Sequence, residues 1–185
     1  DYMNIHFDKY KSFIFEFLKL VIISSAIIIP IRYFLIQPFY VKGASMEGSF
    51  YDKEYLIIDE ISYRFNEPSR GDVLVFKYPK DPSQYFIKRL IGLPGETVQI
   101  RNGFVFIKGE GDEKATLLEE GRYLDLNELT YPEMEVTLAE DEYFVLGDNR
   151  DSSLDSRVFG ALNKEYVIGK AWVRGWPFDR VGVIP

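Results

Sequence analysis

The most apolar part of the chain is the segment 13–36, where the uncharged run Leu20–Ile31 lies between Lys19 and Arg32. These two charged residues are 13 positions apart, which corresponds to about 20 Å along an α-helix. If both side chains extend outward by about 5 Å, the apolar length reaches about 30 Å, the thickness of a bilayer's hydrocarbon core. We therefore predict one uncleaved transmembrane helix over 13–36. The alternative is a helix buried in the core of a soluble domain, because the uncharged run alone is short for a span.

Basic residues at the start of this segment predict its orientation. Lys9, Lys11 and Lys19 lie before the apolar run or at its beginning. Positive charge is retained on the cytoplasmic side of a membrane. We therefore expect a single-pass protein of the cell membrane, with a cytoplasmic N-terminus and the rest of the chain outside the cytoplasm.

From residue 39 onward, short runs rich in Val, Ile, Phe and Tyr alternate with turn residues, a pattern typical of β-strands. The predicted strands are Tyr55–Asp59, Asp72–Tyr78, Gln84–Ile91, Thr97–Ile100, Phe104–Lys108, Tyr143–Leu146 and Val167–Arg174. A turn is predicted at Leu93–Glu96, and Asn102-Gly103 predicts a two-residue hairpin, because both residues tolerate positive φ. The runs are not separated by amphipathic helices, which favours an antiparallel β-sandwich or β-barrel.

An acidic stretch interrupts the β pattern. The segment 110–142 contains 12 Asp and Glu residues against Lys114 and Arg122, while the whole chain has a net charge of −7. The rest of the chain is therefore slightly basic, and we expect the insert to be a solvated loop or small subdomain. The predicted fold is mainly β and has five segments, which are an N-terminal segment 1–12, a transmembrane helix 13–36, a β domain in two parts, 37–109 and 143–185, and the acidic insert 110–142.

Composition excludes several kinds of chemistry. The 185 residues include no Cys and a single His, His6. This excludes disulfides, a thiol nucleophile, Cys-ligated metals and multi-histidine metal sites, and we expect no metal or cofactor. The acidic balance, 29 residues against 22, argues against a nucleic-acid partner. If 13–36 spans a membrane, His6 lies on the opposite side from the β domain, which excludes a Ser-His-Asp triad there.

Three polar segments remain as candidates for hydrolytic chemistry. Ser45 lies between Gly43 and Gly48, where a nucleophile would be accessible, although most Ser residues in such turns only form the turn. Lys88 lies in an apolar run, and burial would make its neutral amine a base, whereas an outward-facing Lys would be an ordinary edge residue. The segment 146–160 is rich in Asp, Asn and Ser, which indicates either a capped loop or a buried hydrogen-bond network.

Taken together and in this order, the segments resemble the type I signal peptidases, the S26-type membrane-bound Ser/Lys proteases that remove signal peptides. The resemblance covers nearly the whole chain. After the apolar segment, it is carried by the motifs Gly43–Met46, Arg70–Phe76, Ile87–Arg89, Leu93–Glu96 and Gly147–Arg157. The last of these motifs is the most specific.

The resemblance implies a membrane-anchored serine endopeptidase that cleaves signal peptides from translocated preproteins. Its expected partners are those signal peptides and the lipid bilayer. Ser45 would be the nucleophile and Lys88 the general base, with Ser153 hydrogen-bonded to the Lys88 amine. Asp155 and Arg157 would form an ion pair that holds their loop.

The resemblance also implies an oxyanion hole and a substrate pocket. Gly43 occupies the position at which some members have a Ser that completes the oxyanion hole. The expected donors are therefore the Ser45 N–H and a backbone contribution from Gly43. Phe39, Val41 and Ile87 are expected to line pockets for small side chains of a substrate that binds as an added strand.

One feature departs from the family pattern. The nucleophile motif usually continues Ser-Met-x-Pro-Thr, whereas Gly48 and Ser49 stand here in place of Pro and Thr. We expect the loss of proline to loosen this turn, at a cost of about 1 kcal/mol. The departure is the basis of one alternative, a catalytically impaired relative that binds signal peptides or envelope proteins. A soluble, self-cleaving Ser/Lys protease of the repressor type is a second alternative, which the apolar segment disfavours.

Overall fold

The computed structural model describes the backbone of residues 2–34, 36–125 and 128–184, and the side chains of 11–29, 38–125 and 128–184. The chain divides into two units, 1–37 and 38–185. His6, for which we predict no role, has a side chain outside the described residues.

The first unit is dominated by one helix, α1 (Tyr2–Phe34), of 33 residues. The helix includes the predicted N-terminal segment as well as most of the predicted span, and it ends at Phe34 rather than at residue 36. Its stretch Lys11–Ile29 has a mean hydropathy of 2.2 and is long and apolar enough to cross a bilayer. The large apolar side chains of this stretch are exposed, as expected for a helix that lipid surrounds.

The second unit is mainly β, as the alternation of apolar and polar residues predicts. In chain order its strands are β1 (Ile36–Tyr40), β2 (Tyr55–Asp59), β3 (Val73–Tyr78), β4 (Asp81–Gly92), β5 (Thr97–Arg101), β6 (Phe104–Lys108), β7 (Thr116–Leu117), β8 (Met134–Thr137), β9 (Glu142–Leu146), β10 (Leu162–Asn163), β11 (Val167–Trp176) and β12 (Gly182–Val183). Two one-turn helices, α2 (Ser62–Phe65) and α3 (Ser156–Phe159), accompany them.

The strands form two sheets. The larger sheet has the order β1-β2-β11-β3-β4-β9-β10, with β12 paired to β11, and the smaller has the order β7-β6-β5-β8. The pairs from β2 onward are antiparallel, which confirms the predicted antiparallel β fold. The hairpin between β5 and β6 turns at Asn102 and Gly103, whose φ angles are 53° and 81°, as their sequence predicts.

The acidic insert supplies part of the smaller sheet. Its strand β8 pairs with β5, with Val136 opposite Val98, and its strand β7 pairs with β6. Val136 and Met134 pack on a buried cluster that also contains Phe144 of β9. The insert therefore completes a sheet begun by strands outside it, while its charged residues remain largely at the surface.

A second buried cluster anchors the turn that carries Ser45. Met46 and Phe50 are 1% and 2% exposed, and they pack with Val41 and with Ile87 of β4. Burial of large apolar side chains on both sides of a short loop restricts the loop's motion. The core thus fixes the position of Ser45 relative to β4.

Candidate active site

Ser45 and Lys88, which are 43 positions apart in the chain, meet in space. The distance between Lys88 Nζ and Ser45 Oγ is 2.7 Å, and Nζ also donates a hydrogen bond to the Ile87 carbonyl, at 2.7 Å. Lys88 lies opposite Leu74 of β3 and is only 3% exposed. The inward orientation is therefore the one observed, which makes this Lys a candidate base rather than an edge residue.

Burial of the Lys88 amine changes its acidity. It lowers the pKa to about 8, although the negative charges of Asp155 and Asp148 act in the opposite direction. At pH 7, about a tenth of the molecules then carry a neutral amine, against fewer than about one in a thousand for an exposed Lys. A neutral amine within hydrogen-bond distance of a hydroxyl can accept its proton, as a general base must.

The backbone at Gly43 differs from the expectation for the oxyanion hole. The Gly43 N–H donates to Asp52 Oδ1 at 2.9 Å, so this donor is already occupied and the expected backbone contribution is not available. Within the described residues, the Ser45 N–H has no acceptor. The Ser45 N–H is thus the donor that this turn offers to a developing oxyanion.

Gly48 shows that the departure from Pro-Thr is a different way of building the turn. Its φ is +99°, a value that proline cannot adopt because its ring fixes φ near −65°. The turn therefore has a backbone conformation that a proline at this position could not take, and the loosening of the turn stays a prediction. The next residue, Ser49, has a carbonyl that accepts hydrogen bonds from Arg174 Nη2 at 2.6 Å and Arg180 Nη2 at 3.4 Å.

Both arginines are held in turn by Glu54, which is 2% exposed. Its two oxygens lie 2.9 Å from Arg174 Nε and 2.6 Å from Arg180 Nη1. A buried carboxylate and two guanidinium groups thus hold the turn that carries Ser45. Sequence analysis missed these three residues, because Glu54 lies 120 or more positions from both arginines and none of the three belongs to a motif.

The Gly-Asp-Asn segment 147–149, which follows β9, also contacts the turn that carries Ser45. The Asn149 N–H donates to the Ser45 carbonyl at 3.2 Å, and its side-chain amide donates to the Ala44 carbonyl at 3.1 Å. The Asp148 N–H contacts Met46 Sδ at 3.4 Å. These contacts explain why short polar residues follow the strand, and they support the network interpretation of 146–160 over a plain loop.

Ser153 does not make the expected contact with Lys88. Its buried hydroxyl has no hydrogen-bond partner among the described residues. The second hydrogen bond of the Lys88 amine goes to the Ile87 carbonyl instead. Ser153 packs against Gly147, where an added Cβ would lie 2.2 Å from Ser153 Oγ. Only glycine therefore permits this close approach.

Asp155 and Arg157 form the expected ion pair. Asp155 Oδ2 lies 2.8 Å from Arg157 Nη2 and accepts the Gly147 N–H at 3.0 Å. Burial acts to raise the pKa of Asp155, but the hydrogen bonds from Arg157 and Gly147 outweigh it and leave the pKa below its usual value. The remaining nitrogen Nη1 of Arg157 donates to the Tyr131 carbonyl at 2.7 Å, which ties the loop to the acidic insert.

The acidic insert contributes directly to the support of this loop. Arg150 is 2% exposed, and its guanidinium pairs with Glu120 at 2.6 Å and donates to Thr130. Its backbone N–H donates to Glu128 Oε1 at 2.9 Å. A buried guanidinium needs a partner, so part of the insert's negative charge neutralises the catalytic loop.

Arg89, the residue after Lys88, forms a further buried ion pair with Asp148. Arg89 Nε and Nη2 lie 2.8 Å and 2.6 Å from the two oxygens of Asp148, a two-point geometry. Arg89 also donates to the Gly71 carbonyl at 2.8 Å and to Ser49 Oγ at 3.2 Å. Both residues belong to motifs that carry the resemblance, which was the available signal for this pair.

A cavity of about 360 Å³ lies beside Ser45 and Lys88. Phe39 and Ile87 line it as expected, whereas Val41 lies in the buried core and does not line the cavity. Val41 is displaced from the wall because its backbone pairs with Glu54 and Lys53 and its side chain points into the apolar cluster.

Among the described strand pairings, one edge of β4 has no partner next to this cavity. The segment 84–88 lines the cavity, and its residues from Tyr85 onward pair with β3 on one side. The pairing of β4 with β9 begins only at Arg89. Backbone groups of an unpaired edge are a template for an added strand.

Among the described residues, no group of three or more His, Asp and Glu side chains is arranged to hold a metal ion. The groups that this site offers for chemistry are a hydroxyl, an amine of lowered pKa and backbone donors. That combination suits nucleophilic acyl transfer.

Comparisons with known proteins find related chains. Residues 14–176 match the family model described as signal peptidase, peptidase S26. The chain is 37% identical over 182 residues to signal peptidase I of Leptolyngbya laminosa, covering 94% of this chain and 85% of that protein. It is 33% identical over 182 residues to signal peptidase I P of Bacillus subtilis subsp. natto, covering 95% and 97%. A crystal structure of a signal peptidase I from Enterococcus faecalis V583 is 36% identical and covers 57% of this chain and 97% of that one, with a TM-score of 0.46.

Proposed function

The chain belongs to the family of S26 signal peptidases, and on that premise we propose that Ser45 and Lys88 form its catalytic dyad. It is a membrane-anchored serine endopeptidase of the signal peptidase I type. The observation that carries the assignment of the dyad is the 2.7 Å contact between Ser45 Oγ and a Lys88 amine whose pKa burial lowers to about 8. Its substrates are signal peptides of translocated preproteins.

The reaction follows from these positions. The neutral Lys88 amine accepts the Ser45 proton while Oγ attacks the scissile carbonyl carbon. The oxyanion that forms accepts a hydrogen bond from the Ser45 N–H, and its collapse breaks the C–N bond. The Lys88 ammonium gives its proton to the leaving amine, and an acyl-enzyme remains. Lys88 then takes a proton from water, which attacks the ester and releases the signal peptide, and Ser45 recovers its proton.

The cavity favours substrates with small residues near the cut. The peptide would bind along the open edge of β4 at 84–88, with backbone hydrogen bonds giving affinity. Side chains of an extended strand alternate in direction, so the residues one and three positions before the cut point to the same side. Phe39, Ile87 and Leu154 limit that side, and we propose that they select small side chains there.

The orientation of the chain in the membrane is also part of the proposal. Lys9, Lys11 and Lys19 favour a cytoplasmic N-terminus, which puts the catalytic unit outside the cytoplasm in a single-pass arrangement. Protease added outside spheroplasts is expected to digest the β unit of the full chain and to leave an N-terminal tag intact. Protection of the β unit would contradict this orientation.

The test of the dyad is cleavage of a preprotein with small residues at both positions by the full chain in detergent micelles. Ser45→Ala and Lys88→Met are expected to lose at least a thousandfold in kcat/KM. Matched controls are Ser152→Ala and Lys42→Met, because both side chains are exposed and line the same cavity. Activity of either dyad variant close to that of its control would refute the assignment.

The alternative of a catalytically impaired relative is not favoured. It rested on the Gly48-Ser49 departure, and the φ of Gly48 together with the arginines on the Ser49 carbonyl gives that departure a structural reason. The relatives that the chain matches are named as signal peptidases.

A further inference from the structure

The β unit also contains a cavity away from the dyad. It has a volume of about 670 Å³ and shares no lining residue with the active-site cavity. Five of its lining side chains are arginines, which are Arg70, Arg89, Arg122, Arg174 and Arg180. The mechanism proposed above uses none of the open space in this cavity.

Some of this positive charge is already neutralised. Arg70 pairs with Glu96 and Arg89 pairs with Asp148, so these two arginines have full counter-charges. Asp72, which also lines the cavity, pairs with Lys170. These pairs belong to the framework of the fold and do not call for a ligand.

The other three arginines leave an excess of positive charge. Arg174 and Arg180 share the single carboxylate of Glu54. Arg122 is exposed and makes no hydrogen bond or ion pair with the described residues. The exposed Glu119 is the one further carboxylate in the lining, and it balances only one of the two surplus charges.

Hydrogen-bond donors are also left over. Within the described residues, Arg174 Nη1 and Arg180 Nε have no acceptor, while their other nitrogens hold Glu54 and the Ser49 carbonyl. Arg180 stacks on Tyr51, with its guanidinium carbon 4.4 Å from the ring centroid, which fixes the plane of its fork. One nitrogen of each of these guanidinium groups is therefore free to donate to an oxygen of a phosphate group.

We propose that this cavity binds a phosphate group, through Arg122 together with the Arg174 and Arg180 pair. Two sources supply this chemistry, free phosphate and the headgroup of an anionic phospholipid. Exposed apolar side chains adjoin the arginines, since Phe178 precedes Arg180 by two residues and Val183, which is 71% exposed, lines the cavity. A lipid would place acyl chains against such residues, whereas free phosphate would not use them.

The test is isothermal titration of the full chain in detergent micelles, at constant ionic strength set with chloride. The probes are inorganic phosphate, dihexanoylphosphatidylglycerol and dihexanoylphosphatidylcholine. Saturable binding of phosphate would assign the site to free phosphate. Binding of the glycerol lipid without phosphate or the choline lipid would assign it to an anionic headgroup. Absence of saturable binding by both phosphate and the glycerol lipid would overturn the proposal.

The variant that locates the site is Arg122→Glu, which is expected to weaken binding at least tenfold. Its matched control is Arg64→Glu, because Arg64 is also exposed but lies on α2 and outside the cavity. Arg122 has no bonds to lose, so the melting temperature of its variant is expected to stay unchanged. Equal weakening in both variants, or none in Arg122→Glu, would refute the site. Binding is also expected in Ser45→Ala, so this test is independent of the dyad.

Discussion

The acidity of Lys88 leads to a quantitative prediction for the pH dependence of cleavage. Only the neutral amine can take the Ser45 proton, so kcat/KM is expected to follow the neutral fraction of Lys88. Burial lowers the pKa of this amine to about 8. The expected profile therefore rises with pH and levels off above the pKa.

The size of the effect follows from that value. With a pKa of about 8, the neutral fraction is about 1% at pH 6, about 10% at pH 7 and about 90% at pH 9. The value of kcat/KM is thus expected to rise about 90-fold between pH 6 and pH 9, by nearly tenfold for each unit below pH 7. An unperturbed Lys, with a pKa near 10.4, would still be rising tenfold per unit at pH 9.

The assay is initial-rate cleavage at substrate concentrations well below KM, with a peptide that has no titratable side chain near the cut. Circular dichroism at each pH checks that the chain remains folded. Lys42→Met serves as a control, because Lys42 is exposed beside the same cavity and its removal is expected to leave the midpoint unchanged. A flat profile from pH 6 to 9, or a midpoint above 10, would refute Lys88 as the base.

Three further predictions concern stability. Lys88→Met is expected to raise the free energy of unfolding at pH 7, measured with urea, by about 3 kcal/mol. The reason is that the buried amine has a lowered pKa, and each unit of that shift makes protonation in the folded state cost about 1.4 kcal/mol more. The gain is expected to shrink between pH 8 and pH 10, where the unfolded state still binds the proton. Gly48→Pro is expected to reduce the melting temperature more than Gly48→Ala, since φ is +99° and proline cannot adopt it; equal shifts would contradict this. Asp155→Asn is expected to cost about 3–5 kcal/mol in urea unfolding, because it leaves Arg157 buried without its counter-charge, and the double variant with Arg157→Met is expected to recover part of that loss.

Patterns of neighbouring residues in the sequence predicted the longer strands and the hairpin between β5 and β6. All seven strands that the sequence predicts are present; two have the predicted ends, and the others have an end shifted by one to three residues. The hairpin at Asn102-Gly103 has both positive φ angles. The strands that sequence analysis missed are β1, β7, β8, β10 and β12, of which three have only two residues. Such strands are defined by their partner strands rather than by alternation of their own residues.

The candidate site was predictable where it lies in motifs and unpredictable where it depends on distant contacts. The order of the motifs indicated Ser45 and Lys88 together as candidate catalytic residues. Whether Lys88 points inward, however, depends on its neighbours in three dimensions. Glu54 and the two arginines that it holds have no signal in spacing, because Glu54 lies 120 or more positions from each of them. The Gly43 N–H was expected to serve the oxyanion and bonds instead to Asp52, a side chain that no motif contains.

The site places two opposing requirements on the charged groups near Lys88. The loops that carry Ser45 and Ser153 need strong polar contacts, yet unpaired negative charge near the amine would stabilise its protonated form and remove the base. Asp148 and Asp155 do raise the pKa of Lys88, but desolvation prevails. Each of these carboxylates is paired with a buried arginine, Arg89 or Arg157. The loops are therefore held by charged groups in paired form, while desolvation keeps the pKa of the Lys88 amine low enough for it to act as a base.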